Sequence, residues 1–356
     1  MSTEKPRPSL LDVARHAGVS PATVSRVINK TAPVRASVRD KVIASITTLG
    51  YEHAAVRSSA RAPQGTVALL ITDILNPFFP EIVRGVEDEG KGDEFAWLVC
   101  DTAEDPWAEQ HILRMLTSRP IDGVVVCASR LATRDLIQLH DRQKIPMVVI
   151  NRYMNYPGIP CVVSDFVNAT YRAARHLLDL NHKRIGYLAG PSTSESSQLR
   201  RQGLEKALAE AGLSLRPEWC PSSFPSVDGG FQAMSALLAL PPEDRPTAVQ
   251  AYNDVVALGA LHAVRVHHLR VPEDISVVGF DDIAMAAHTN PPLTTIDQPK
   301  YRMGQLAMRL LRQLMRGQIV GEGYTLVESP LIVRESTALA PSSNERGPIS
   351  SESKAR

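Results

Sequence analysis

The chain contains few of the residues that cross-link small secreted proteins or bind metals. Its 356 residues include four cysteines, and no CxxC pair or histidine cluster accompanies Cys100, Cys127, Cys161 or Cys220. Such wide spacing indicates small buried hydrophobic side chains in a reducing compartment rather than a disulfide framework. We therefore expect neither a metal site nor a bound cofactor.

Long apolar runs and enzyme signatures are also missing. No stretch approaches the roughly 20 residues that cross a bilayer, and the opening MSTEKPRP lacks the apolar core of a secretory signal. The sequence has no P-loop, HExxH or GxSxG motif, and no GxGxxG follows the first predicted strand. We expect a cytoplasmic protein that is neither an enzyme nor attached to a membrane.

Charge is unevenly distributed along the chain. The formal net charge of the whole chain is +1, yet the first 65 residues hold ten Lys and Arg against four Asp and Glu. The remaining residues are therefore mildly acidic. A small basic head on such a body is expected of a module that binds nucleic-acid phosphates.

Residues 11–29 predict two short helices joined by a turn. Gly18 lies where the first helix must end, Ser20 is suited to cap the second helix, and Pro21 falls at its first position. Two apolar sets at helical spacing predict one buried face on each helix: Leu11, Val13, Ala14 and Ala17, then Val24, Val27 and Ile28.

A third apolar pattern predicts a helix over residues 35–49, with Val38, Val42, Ile43, Ile46 and Leu49 on its buried face. Together the three helices have the layout of a helix-turn-helix domain, whose second helix enters the DNA major groove. The plainer alternative is a helical hairpin with a solvated face, and the excess of basic residues favours the DNA-binding interpretation.

After a turn-rich linker at residues 62–65, apolar strand patterns alternate with helical patterns. The predicted strands are Val67–Thr72, Phe95–Cys100, Gly123–Cys127, Met147–Ile150, Cys161–Ser164, Arg184–Ala189, Ala248–Ala251 and Ser276–Phe280. The predicted helices include Phe79–Glu89, Trp107–Ser118, Ala169–Asp179, Leu199–Ala211, Phe231–Leu240 and Val255–Val266. This alternation predicts a doubly wound α/β architecture with parallel sheets. The units are too numerous for one sheet, so we expect two lobes with a first crossover near Ser164.

Polar side chains follow several predicted strands. They are Asp73, the pair Asn151 and Arg152, the pair Asn253 and Asp254, and the pair Asp281 and Asp282. A single Asp after a strand is more often a helix cap. Four such positions favour a cleft for a polar or polyhydroxylated small molecule at the carboxyl ends of the strands.

Ordered motifs over residues 9–339 resemble the LacI/GalR family of bacterial transcription regulators. They are DVAxxAGVSxxTVSRVxN at 12–29, LGY at 49–51, NPFF at 76–79, DG at 122–123, NHKRIGYLAGP at 181–191, ND at 253–254, VPEDISVVGFDD at 271–282 and PPLTTI at 291–296. The resemblance implies an N-terminal all-α helix-turn-helix head and a two-lobed body like that of periplasmic sugar-binding proteins. It also implies a homodimer that binds a pseudo-palindromic operator.

The sequence patterns and the resemblance together predict a domain organisation. The expected segments are the helix-turn-helix domain at 1–50, a hinge at 51–64, the first lobe at 65–163 with about 296–325, the second lobe at 164–295 with about 326–340, and a disordered tail at 341–356. The tail holds no leucine heptad, so we expect a dimer rather than a tetramer.

The family's DNA contacts can be placed on this chain by the resemblance. They would come from Ser20, Pro21, Ala22, Thr23, Ser25, Arg26 and Asn29, with Arg35, Arg57 and Ala60 further along. Pro21 and Ala22 occupy the positions that largely select operator bases, and they offer only apolar contact, for instance to a thymine methyl group. Arg26 is suited to a guanine or a phosphate.

Two of these positions depart from the family pattern. Ala60 stands where relatives place a leucine that wedges into the minor groove, and one methyl group is too small to unstack a base step. We therefore expect little operator bending by that route, and Arg57 and Arg61 would favour a narrow minor groove instead. Arg35 replaces the usual Ser or Thr cap of the third helix.

The resemblance implies that eight residues contact an effector: Asp73, Asn76, Phe78, Asn151, Arg200, Phe224, Asn253 and Asp281. The expected function is repression of a carbohydrate-utilisation operon, with operator affinity changed by a sugar-like effector in the bacterial cytoplasm, on the nucleoid. One alternative is a regulator that binds a purine or another metabolite as corepressor, against which the scarcity of aromatic residues argues. A solute-binding protein is a further alternative, which the basic helix-turn-helix opposes.

Overall fold

The computed structural model describes residues 9–29, 34–49, 65–118, 120–318 and 323–341. The chain divides into two compact units, a helical N-terminal unit and an α/β body. Within the described ranges no helix is long and apolar enough to span a membrane. Cys127 and Cys161 are buried, Cys100 and Cys220 are half-buried, and all four are free thiols.

The N-terminal unit contains helices α1 (Leu10–Ala17), α2 (Pro21–Asn29) and α3 (Ala36–Leu49). Helix α1 begins with a capping box, in which the Ser9 hydroxyl accepts the Asp12 N–H and the Asp12 carboxylate accepts the Ser9 N–H. It ends at Gly18, whose φ of 64° is the left-handed conformation that glycine adopts without strain. The Ser20 hydroxyl then accepts the Thr23 N–H at the start of α2.

The core of this unit corrects two positions of the predicted buried faces. Val13, Ala14, Val24 and Val42 are buried as predicted, but Leu11 and Ile43 are 61% and 50% exposed. Leu10 packs against the core instead of Leu11, because spacings of three, four and seven residues from Leu10 reach Val13, Ala14 and Ala17. The side chain of Ile28 lies outside the described atoms.

The described part of the body contains eleven strands and eight α-helices. The strands are β1 (Gly65–Ile71), β2 (Phe95–Asp101), β3 (Gly123–Cys127), β4 (Met147–Ile150), β5 (Cys161–Ser164), β6 (Ile185–Leu188), β7 (Ala248–Ala251), β8 (Ser276–Asp281), β9 (Thr294–Asp297), β10 (Tyr324–Val327) and β11 (Leu331–Ile332). The helices are α4 (Phe78–Glu89), α5 (Pro106–Thr117), α6 (Thr133–Gln143), α7 (Phe166–Asp179), α8 (Glu195–Glu210), α9 (Val227–Leu238), α10 (Asp254–Val266) and α11 (Lys300–Met315).

These strands form two sheets, each of which we call a lobe together with its helices. The first lobe has the order β10-β5-β4-β3-β1-β2, and the second has the order β11-β9-β8-β7-β6. Strands β3, β4 and β5 pair in parallel and are buried at every position. This is expected of parallel strands covered by helices on both faces. Strand β11 pairs antiparallel with β9 and is an exception to the predicted parallel order.

Three segments connect the lobes. The chain leaves the first sheet after β5, which ends at Ser164, and returns after β9 through α11, which packs on α4 of the first lobe. Strand β10 then pairs with β5, and the chain crosses again to β11 in the second sheet. The two lobes are therefore joined by three separate crossings of the chain.

Candidate effector cleft and DNA-binding helix

A cavity lies at the carboxyl ends of strands from both lobes. Its lining comprises Asn76, Phe78, Phe79, Glu104, Ala128, Arg130 and Asn151 from the first lobe, and Ser196, Arg200, Pro225, Tyr252, Asn253, Asp281 and Gln298 from the second lobe and its connection to α11. The cavity lies where ligands bind in open α/β sheets. Six of the eight residues assigned to the effector by resemblance line it.

The other two residues, Asp73 and Phe224, do not line this cavity. The Asp73 carboxylate accepts the Leu75 N–H at 2.8 Å and so closes a tight turn after β1. Phe224 is 58% exposed, and its neighbour Pro225 lines the cavity instead. The backbone of Phe224 is packed against Gly229 of α9, where a Cβ would lie 2.1 Å from the Phe224 carbonyl oxygen.

Arg200 is the central side chain of the second lobe's wall. It lies on α8 and is 4% exposed, with its guanidinium carbon 3.8 Å from the Phe280 ring centroid and 4.8 Å from that of Tyr252. Nη1 donates to the Tyr252 carbonyl oxygen, and Nη2 lies 3.6 Å from the Asp281 carboxylate. The buried Nε has no hydrogen-bond partner.

Asp281 ends β8 with a φ of 120°, a conformation that L-residues rarely adopt. Its Oδ1 accepts the Gln298 Nε2 at 2.6 Å. Burial raises the pKa of this carboxyl group, and the neighbouring Arg200 opposes the rise. Asp254, one strand away, is fully buried but does not line the cavity: it accepts the Ile283 N–H at 2.9 Å and the Thr295 hydroxyl at 2.6 Å.

Two asparagines present amide groups from opposite lobes. Asn253 caps α10 by accepting the Val256 N–H at 2.9 Å, and it lines the cavity beside Tyr252. Asn151 has a φ of 59° after β4, and its Nδ2 donates to Gln298 Oε1 at 3.0 Å. The Asn151 Oδ1 is buried without a partner. A buried polar atom without a partner is uncommon in a folded protein.

The sequence analysis missed a second buried arginine in the cleft. Arg130 Nε and Nη2 donate to Glu104 at 2.5 and 2.9 Å, and Nη2 lies 3.5 Å from the Tyr252 hydroxyl across the cleft. Glu104 and Arg130 each come three residues after the last residue of a strand, β2 and β3. Extending the strand-end rule beyond the first two residues would have found both.

Aromatic rings also contribute more to the cleft than the composition suggested. Phe78, Phe79 and Tyr252 line it, and the first two rings meet edge to face with centroids 5.1 Å apart. Gly190 permits the position of Tyr252, because a Cβ there would lie 2.5 Å from its ring. The Tyr252 hydroxyl lies 3.1 Å from that of Ser194.

In the N-terminal unit, α2 presents several of the residues expected to contact DNA. Ser20, Pro21, Ala22 and Arg26 are exposed, and Thr23 and Ser25 are half-buried. The Thr23 hydroxyl lies 2.9 Å from that of Ser20. Arg35 is exposed and directly precedes α3, with its carbonyl oxygen accepting the Val38 N–H. The side chain of Asn29 and the whole of Arg57 and Ala60 lie outside the described residues.

Comparison with known proteins gives the family. The profile of the bacterial regulatory proteins of the lacI family matches residues 9–53, and that of the periplasmic binding protein-like domain matches residues 174–337. The chain is 36% identical over 334 residues to the HTH-type transcriptional repressor CytR of Escherichia coli (strain K12), which covers 94% of this chain and 97% of CytR. This chain therefore belongs to the LacI family of transcriptional regulators.

Solved structures agree with this assignment. A complex of the transcriptional regulator CelR with cellobiose is 32% identical, with a TM-score of 0.69, and the match covers 93% of this chain and 100% of that one. The lac repressor dimer bound to operator and the anti-inducer ONPF is 29% identical, with a TM-score of 0.75 and coverage of 94% and 100%. Both matches extend over nearly the whole of this chain.

Proposed function

We propose that this protein is a homodimeric transcriptional repressor whose affinity for operator DNA is set by a small sugar-like effector bound between the lobes. The observation that carries this proposal is the cavity lined from both lobes by Asn151, Arg200, Asn253 and Asp281. Two buried polar atoms there, Asn151 Oδ1 and Arg200 Nε, have no partner. Hydroxyl groups both donate and accept hydrogen bonds, so they match both atoms.

The coupling follows from the position of the cleft. A ligand that contacts both lobes binds more tightly to one relative lobe angle than to another, and it shifts the population toward that angle. In a dimer such a shift changes the spacing of the two heads, which must match half-sites about one helical turn apart. The cellobiose bound to CelR and the operator bound to the lac repressor dimer support these two roles.

On the DNA side, we assign operator contacts to Ser20, Pro21, Ala22, Thr23, Ser25, Arg26 and Asn29 of the head, with Arg35, Arg57 and Ala60 in support. Exposure of Pro21, Ala22 and Arg26 on α2 favours this assignment. The protein would act in the bacterial cytoplasm, on the nucleoid, and would catalyse no reaction.

A second effector class has one specific observation in its favour. Phe78, Phe79 and Tyr252 place three aromatic rings around the cavity, and rings of this kind stack on planar ligands. A purine or a similar metabolite acting as corepressor is therefore the alternative effector. A purine would stack on the faces of these rings as well as form hydrogen bonds, whereas a sugar would be bound by hydrogen bonds alone.

The test is a thermal-shift screen of the full chain against pentoses, hexoses, disaccharides, sugar phosphates and purines. A ligand at 100 times its Kd stabilises its protein by about 2.7 kcal/mol. The compound that binds is then added to a mobility-shift titration with operator DNA, at several salt concentrations. We expect steep salt dependence and an operator affinity that changes with the compound. A protein that binds the compound but no DNA would instead be a solute-binding protein.

A further inference from the structure

We infer that Glu104 makes the cleft select uncharged effectors and reject phosphorylated or carboxylated ones. This inference deepens the proposed function, because it assumes that the cleft is the effector site. It assigns a specificity-determining role to a residue that no motif in the chain marks. The argument depends on how the two arginines of the cleft are paired.

Arg130 is already neutralised before any ligand enters. Its Nε and Nη2 donate to the two Glu104 carboxylate oxygens at 2.5 and 2.9 Å, and both side chains are at least nine-tenths buried. This is the two-point geometry that an arginine would otherwise offer to a phosphate or carboxylate ligand. The remaining group, Nη1, donates to the Ala128 carbonyl oxygen at 3.0 Å.

Arg200, the other arginine in the described lining, is also paired with a carboxylate. Arg200 Nη2 lies 3.6 Å from Asp281, and both side chains are 5% exposed. The lining therefore holds two positive and two negative side chains. A phosphate or carboxylate ligand that approached either arginine would be repelled by the carboxylate already paired with it. Charges in this buried region are only weakly screened.

Hydrogen bonds with the side chains of Glu109 and Arg152 hold the loop that carries Arg130. Glu109, which is 1% exposed, accepts the Arg130 N–H at 2.8 Å and also contacts the Ser129 hydroxyl. Arg152 Nη1 donates to the Ser129 carbonyl oxygen at 3.1 Å. These contacts fix the backbone at Arg130, and an anion that drew the guanidinium away would have to break its own bonds to Glu104 and to the Ala128 carbonyl oxygen.

Of the hydrogen bonds made by the Arg130 side chain, the one to the opposite lobe is the longest. Nη2 lies 3.5 Å from the Tyr252 hydroxyl, which is longer than a typical N–H···O bond. A hydroxyl group entering there can accept from Arg130 and exchange a hydrogen bond with Tyr252. An uncharged, hydroxyl-bearing ligand thus gains two contacts and leaves the Arg130–Glu104 pair intact.

Glu104→Gln tests the inference with inorganic phosphate as the probe. The substitution keeps the shape of the side chain and removes its charge, so Arg130 gains an unbalanced positive charge. We expect the variant to bind phosphate at least about tenfold more tightly than the wild type. Binding is measured by calorimetry, with sodium chloride of equal ionic strength as the reference. Glu89→Gln is the matched control, because Glu89 pairs with Arg309 and Arg312 outside the cavity.

The double variant Glu104→Gln/Arg130→Gln should lose the phosphate binding that the single variant gains. No gain in Glu104→Gln, an equal gain in Glu89→Gln, or retention in the double variant would overturn the inference. If Glu104→Gln does not fold, phosphate binding is measured on the wild type alone. Binding above the sodium chloride reference contradicts the inference, and no binding above it supports the inference. Operator and effector binding do not enter this test, so a failure of the proposed function is recognised separately.

Discussion

The guanidinium of Arg200 stacks on the ring of Phe280, with its carbon atom 3.8 Å from the ring centroid. Phe280 is the penultimate residue of β8, and Asp281, which follows it, faces the same guanidinium at 3.6 Å. One strand end thus supplies both a flat apolar support and a charge partner. A planar guanidinium can stack on the ring and still direct an N–H group toward the carboxylate.

Replacing Arg200 by lysine should therefore damage the effector site although the charge is kept. A lysine lacks the planar group that packs on Phe280 and donates to the Tyr252 carbonyl oxygen. We expect the Kd of the effector found by thermal shift to rise at least about tenfold. Arg201→Lys is the control, since Arg201 is exposed and pairs with Glu205 on the outer face of α8. Equal losses in both variants, or none in Arg200→Lys, would contradict this role.

The pH dependence of stability should report on Asp254. Burial raises the pKa of this carboxyl group, and the nearby Asp281 raises it further. The folded body keeps a proton that the unfolded chain releases near the ordinary carboxyl pKa. The stabilisation from this proton is complete at lower pH and is lost as the pH rises through the raised pKa.

Asp254→Asn removes this titration. We expect it to destabilise the body at about pH 4 and to become progressively less destabilising, relative to the wild type, toward about pH 8. Urea unfolding across this range measures the difference. Asp228→Asn, at an exposed position in the first turn of α9, serves as the control and should show no such trend. A constant difference between Asp254→Asn and the wild type would mean that Asp254 is ionised throughout.

Much of the body's architecture could be predicted from short apolar runs. Strands β3, β4, β5 and β7 have the predicted bounds: the first three are uninterrupted runs of apolar or small residues, and β7 contains a single polar residue, Gln250. Strand β9 was not predicted, since buried Thr294 and Thr295 interrupt the apolar pattern. Their hydroxyls take part in hydrogen bonds with Arg334 and Asp254, and these long-range partners cannot be inferred from local sequence.

Part of the cleft could also be predicted, from the polar residues that follow the predicted strands. A polar residue directly after a parallel strand reaches the sheet's carboxyl edge, and this rule finds Asn151, Asn253 and Asp281. It also selects Asp73, whose carboxylate closes a local turn instead. Arg130 and Glu104 enter the cleft from loops, and their pairing depends on how two separate loops fold over the strand ends. Periodicity contains no such information.

Arg26 is the exposed basic residue of α2, and we expect Arg26→Ala to weaken operator binding. A guanidinium that contacts a base or phosphate contributes roughly 1–3 kcal/mol, and loss of a phosphate contact also lowers the salt slope. A mobility-shift titration measures both. Arg84→Ala is the control, because Arg84 is an exposed residue of α4 in the body that pairs with Glu87. Effector affinity should not change in either variant. Unchanged operator affinity in Arg26→Ala would exclude the contact.

Ala60 lies outside the described residues, so its prediction depends on the sequence alone. A single methyl group is a poor wedge for a base step, and we expect the wild type to bend its operator less than leucine-bearing relatives do. Ala60→Leu should increase bending, most strongly when the central step is a flexible pyrimidine–purine step. Circularly permuted operator fragments measure the bend. A strong wild-type bend that Ala60→Leu leaves unchanged would assign the wedge to another residue.

Gly259 fixes the distance between α9 and α10. A Cβ at this position would lie 1.9 Å from the Val227 carbonyl oxygen and 2.6 Å from the Phe231 N. Both are backbone atoms, so the two helices must separate to accept an alanine. We expect Gly259→Ala to lower the free energy of unfolding of the body by about 3 kcal/mol. Val266→Ala, at a position of α10 that is 49% exposed, should have little effect.

The same substitution should also weaken the effector site. Helix α9 begins two residues after Pro225, which lines the cavity, so we expect a displacement of α9 to move that wall. We therefore expect Gly259→Ala to raise the effector Kd at temperatures where the variant is still folded, while Val266→Ala leaves it unchanged. Calorimetric titration beside urea unfolding separates the two effects. A variant with lower stability and wild-type affinity would show that α9 does not position the cleft.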